Sequence, residues 1–107
     1  MPVTADLPPF PSHDAFEGLR EQVEEAIREA SDKRFIEFCV DARRTWSKFA
    51  PLLSADLGTP TKKLAAAERA EKRRLDAAGI GEDDIAALTG WFEAAIQAVR
   101  LSHARAA

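Results

Sequence analysis

Thr59-Pro60, Gly79 and the run Gly81-Glu82-Asp83-Asp84 divide the second half of this chain into two helices with marked ends. Thr is a good N-cap, and Pro fits the first helical turn, where its missing N–H costs nothing. Gly tolerates a left-handed stop, and consecutive carboxylates suit the positive end of a helix dipole. Amphipathic runs flank this punctuation, so the spacing predicts an all-α fold with helices over about 13–30, 32–50, 60–78 and 82–102. The connections at 30–32 and 79–81 are short enough to make hairpin neighbours of the helices they join. The expectation is a four-helix antiparallel bundle of two helical hairpins, joined through a 51–59 loop.

Ahead of the helices, residues 1–11 carry Pro2, Pro8, Pro9 and Pro11. Proline excludes helix and favours polyproline geometry, so this segment reads as an extended arm. Its Leu7 and Phe10 give it something to bury. Phe10 is expected to fold back over one end of the bundle; reaching across to a partner or a second copy is the other reading. Pro8-Pro9-Phe10-Pro11 also contains a minimal P-x-x-P. Residues 12–107 then form a single helical domain, long enough for one core and too short for two.

Each helix has its stripe. Phe16, Leu19, Val23, Ala26, Ile27 and Ala30 line the first, which opens with a possible Asp14/Glu17 capping box. Its other faces hold Glu17, Glu21, Glu24, Glu25 and Glu29. The second, capped by Ser31 or Asp32, is apolar at Phe35, Phe38, Cys39, Ala42, Trp46, Phe49 and Ala50. Ile36 and Val40 widen that arc, so this helix is expected to be the central element, ended or kinked at Pro51. The third has only Leu64, Ala67, Leu75 and Ala78, interrupted by Glu71, and is expected to be the most loosely held. The fourth carries Ile85, Leu88, Phe92, Ala95, Ile96 and Val99, with Trp91 at the edge. Its Gly90 costs about 1 kcal/mol against Ala and so reads as the mark of a close helix contact.

Apolar residues make up 46% of the chain and charged ones 31%, a globular balance. The net charge of −3 argues against a dedicated nucleic-acid binder. Heavy use of Ala, absence of Tyr and Asn, and preference for Arg over Lys suggest a GC-rich bacterial genome or a phage or mobile element of one. Cys39 stands alone, which rules out an internal disulfide and fits a reducing cytosol. No signal peptide is expected, and no apolar run approaches the roughly 18 residues of a membrane span.

The residue pattern points away from catalysis. His13, His103 and Cys39 are too few and too scattered for a metal site, and no cofactor is expected. Cys39 lies mid-stripe, where a thiol behaves as a small hydrophobe. Glu24-Glu25 and Asp83-Asp84 are adjacent pairs that diverge on a helix. Gly79-Ile80-Gly81 has no strand before it, so it is a turn and not a phosphate loop. What remains is charge. Lys62, Arg69 and Arg73 align on the face of the third helix opposite Leu64 and Leu75, as a basic ridge for phosphate or an acidic surface. Glu71 is the lone carboxylate on an apolar face, expected to pair with Arg74 or Arg28 or to centre a partner-binding face. Glu82, Asp83 and Asp84 at the start of the last helix count against a helix-turn-helix reading. The expected function is therefore a small, non-enzymatic, cytoplasmic protein-binding module (adaptor, regulator or inhibitor) whose partner is another protein or a second copy. The alternative is an accessory protein that contacts nucleic acid through the third helix.

Overall fold

A computed structural model of the chain describes residues 7–54 and 65–106. It is all-α. A 3-10 turn at Asp14–Phe16 leads into α1 (Glu17–Glu29), followed by α2 (Asp32–Ser47), α3 (Ala50–Ser54), α4 (Ala66–Ala77) and α5 (Glu82–Ala106). Among the described residues no helix is long and apolar enough to cross a membrane.

The helix ends follow local chemistry. Ser31 caps α2, its Oγ accepting the Arg34 N–H at 3.3 Å. Gly79 is left-handed, with φ of 75°. Around it the Gly79 N–H donates to the Asp76 carbonyl and the Ile80 N–H to the Leu75 carbonyl, both at 3.1 Å. This is a Schellman stop, completed by burial of Leu75 and Ile80 on either side of the glycine. At the start of α5 the Asp84 carboxylate accepts the Gly81 N–H at 2.8 Å, so one of the three acids closes the turn while the others face the dipole.

Several expectations are corrected. The cap before α1 is His13, not Asp14: its Nδ1 accepts the Ala15 N–H at 3.0 Å, and Glu17 pairs with Arg20 at 2.7 Å. The second helix ends at Ser47, and Pro51 does not open a loop. It occupies the first turn of the short α3, where a missing N–H is harmless. The helix expected over 60–78 is not continuous, because Ala65 is extended (φ −64°, ψ 161°) and α4 begins only at Ala66. Its first turn is fixed by Glu68, whose carboxylate accepts the Ala65 N–H at 3.2 Å, half of a capping box. Thr59, Pro60 and Leu64 lie outside the described residues, as do residues 1–6 of the arm and 55–59 of the loop.

The core is centred on α5 rather than α2. Ile85, Leu88, Trp91, Phe92, Ala95, Ile96 and Val99 are all buried, whereas α2 buries only Phe35 and Cys39. Helix α5 runs some 37 Å at 1.5 Å per residue and packs its backbone closely on α2. Phe16, just before α1, meets Trp46, near the end of α2, edge to face at 5.3 Å. Helix α4 makes its main backbone contacts with α3, and α3 in turn with α5. Of the four apolar positions expected to hold it, Leu75 is buried, Ala67 and Ala78 are exposed, and Leu64 is outside the described residues. One Leu side chain is too little apolar area to seat a helix along a long groove. Gly90 marks no contact: it is exposed, and a Cβ there would meet nothing within 4 Å.

Candidate functional site

Four residues were the sequence candidates. Arg69 and Arg73 are exposed one turn apart on α4, and neither makes an ion pair among the described residues. Lys62 lies outside the described residues, so the structure does not bring it to them. Glu71 is half-buried and bound to its own helix neighbour Arg74, as one of the two expected pairings required. The Arg74 hydrogen bond, helped by the guanidinium charge and opposed by desolvation, holds the Glu71 carboxyl below the usual carboxylate range. Lys72 is spoken for too, pairing with Asp76 at 3.3 Å while its Nζ donates to the Leu53 carbonyl at 3.5 Å. Within its described span α4 has four basic residues against three acidic ones. After these pairings only two guanidinium groups are left free.

The opposite charge is better exposed. On α1, Glu21, Glu24, Glu25 and Glu29 all face solvent, and none is in an ion pair among the described residues. At 100° per residue they share an arc of about 140° with Arg28. Glu21, Glu25 and Glu29 follow one another at four-residue steps, a spacing at which like charges repel by a few tenths of a kcal/mol per pair. The helix tolerates this because Val23 is buried and Ala26 and Ile27 pack against the core on its other side.

Sequence reasoning missed how the described part of the arm is fastened. Trp91 Nε1–H donates to the Pro8 carbonyl at 2.7 Å. Phe10 stands edge-on to Trp91 at 5.0 Å and to Phe92 at 6.4 Å. His13 is a second fastening. With the Ala15 N–H donating into Nδ1, the ring proton belongs on Nε2, which reaches the Gly79 carbonyl at 3.1 Å and lies 3.8 Å from Asp84 Oδ2. Phe10 thus packs against the middle of α5, where the expectation had it covering one end of the bundle. The polar partners of the two fastenings lie 66 and 83 residues away in sequence, and no spacing rule reports them.

Two other features bear on chemistry. A groove between α3 and the start of α5 is lined by Ser47, Ser54, Glu82, Asp83 and Thr89. All three hydroxyls already donate to carbonyls of their own helices. Cys39 is fully buried, and desolvation pushes its thiol up to about 12, leaving it protonated and inert. Comparison with protein-family models, curated proteins and solved structures returned no match.

Proposed function

We propose that this protein is a non-enzymatic protein-binding module of a reducing cytosol, and that the acidic face of α1 is where a basic partner docks. The observation that carries this reading is the set of four solvent-facing carboxylates, Glu21, Glu24, Glu25 and Glu29, held on one arc with no ion pair among the described residues. Their mutual repulsion does nothing for the fold. A predominantly acidic surface of this kind, four carboxylates to the one guanidinium of Arg28, steers encounter with an oppositely charged protein and disfavours like-charged ones. Arg69 and Arg73 on α4 offer a smaller patch of the other sign, which makes the nucleic-acid reading the weaker one.

The test is crosslinking with mass identification of the partner, run on three versions of the full chain. Wild type and Arg69→Glu/Arg73→Glu are expected to retain the same partner. A version with Gln at positions 21, 24, 25 and 29 is expected to lose it, and raising the salt should weaken the wild-type complex. Retention by the Gln version would sink the proposal. Fluorescence anisotropy with labelled DNA and RNA at low salt addresses the alternative: binding that Arg69→Glu/Arg73→Glu removes would establish the α4 face instead.

A further inference from the structure

The strap Leu7–Pro11 is seated as a ligand would be. Pro8, Pro9 and Pro11 have no N–H, so this stretch meets a binding surface mainly as a hydrogen-bond acceptor. What it needs is a donor beside an aromatic wall. Trp91 supplies the donor, through Nε1–H to the Pro8 carbonyl at 2.7 Å. The Trp91 and Phe92 rings supply the wall against which Phe10 stands edge-on. Arg20, Val23, Glu24 and Ile27 of α1 form the other side, leaving about 250 Å3 of open space between the strap and the helix. An indole N–H on a carbonyl of an extended, proline-stiffened segment, with aromatic rings alongside, is the way aromatic grooves take proline-rich peptides, because such segments lose little entropy on binding. The attachment is also slight. Phe10 and Leu7 are only half-buried, and among the described residues a single polar contact fixes Pro8.

We infer that the groove between α1 and α5 is a receptor for an extended peptide in which prolines flank a phenylalanine. The chain's own Leu7–Pro11 occupies part of it in cis, and a segment of the same chemistry from another polypeptide displaces it. His13 keeps the strap's far end on the Gly79 carbonyl, so the cis ligand stays close to the groove after its proline end lifts away. An incoming peptide therefore competes with a tethered ligand at an effective concentration on the order of millimolar. The inference stands on the strap contacts and does not require the acidic face of α1.

The experiment titrates a synthetic Leu-Pro-Pro-Phe-Pro-Ser-His peptide into the full chain carrying Phe10→Ala, reading the Trp91 indole N–H resonance. A saturable shift is expected, with affinity about tenfold or more above that of wild type, where the intact strap competes. Replacing the peptide's phenylalanine with alanine should remove the shift. If Phe10→Ala does not melt cooperatively, Phe10→Leu takes its place, and wild type titrated with excess peptide gives an independent reading. No shift in a folded variant, or an equal shift from the alanine peptide, overturns the inference. A wild-type dimer that Phe10→Ala dissolves overturns it in favour of arm exchange between two copies.

Discussion

Cys39 has no exposed surface, and burial pushes its thiol up to about 12 from an ordinary value of 9.0. The neutral thiol is the form the fold prefers. Its contribution is complete below about pH 9 and is lost as the pH rises from there toward 12, because the unfolded chain ionises first. Stability is therefore expected to fall between pH 9 and 10 with a slope that Cys39→Val removes, as measured by urea melts at each pH. At pH 8 the native thiol should react with a disulfide reagent on the order of a thousandfold more slowly than the unfolded chain, following its thiolate fraction. The cysteine's place in the core was legible from its position in the α2 stripe. The double fastening of His13 was not, since nothing local to residue 13 indicates a carbonyl at residue 79.

Two glycines set the contrast at the level of the helices. Gly79 is left-handed and Gly90 is an exposed helical residue with open space where its Cβ would be. Gly79→Ala should cost about 1 kcal/mol or more by forcing a Cβ into that conformation. Gly90→Ala should add about 0.5–1 kcal/mol through helix propensity alone, raising Tm by about 4 °C in a chain of this size. A calorimeter separates the two directions without ambiguity. Helix α4 has one buried side chain, Leu75, and rests mainly on the five-residue α3. Its amides are expected to exchange with deuterium sooner than those of α2 and α5, as local opening there uncovers little apolar surface. Protection in α4 equal to that in α5 would contradict this account. The weakness of α4 could be read from its thin stripe; its late start could not, because that depends on Glu68 reaching back to Ala65.

At the scale of the whole molecule, the Trp91 indole gives the described part of the N-terminal segment its hydrogen bond to the most buried helix, beside the Phe10 ring contacts and His13. Trp91→Phe keeps a ring for Phe10 to stand against and deletes the donor to Pro8. The expected cost is about 1 kcal/mol, the usual net worth of one hydrogen bond. The 13C shifts of residues 7–11 should move toward random-coil values while α2 and α5 keep their native spectrum. An unchanged strap in Trp91→Phe would show that Phe10 and His13 hold it without the indole hydrogen bond. The molecule is also longer than a compact chain of its length, with a radius of gyration of 16.1 Å against about 13 Å and a principal extent of 54 Å. That shape fits α4 packing on α3 in place of a fourth position alongside α1, α2 and α5.

Helix content, the Ser31 cap, the Gly79 stop and most of the buried side chains are properties of short stretches. Hydrophobic spacing, propensity and capping act over one or two turns, so the amino-acid order alone decides them. Which helix becomes the spine is another matter. Helix α2 is apolar over a wide arc, yet α5 takes the centre because its stripe is matched on several sides at once, by α2, by α3 and by the strap. The same holds for the groove around Trp91 and for the cations left free on α4: each depends on partners tens of residues apart or on pairings that only the packed chain allows. Local free energy is written along the sequence, and long-range pairing is selected only when competing faces meet.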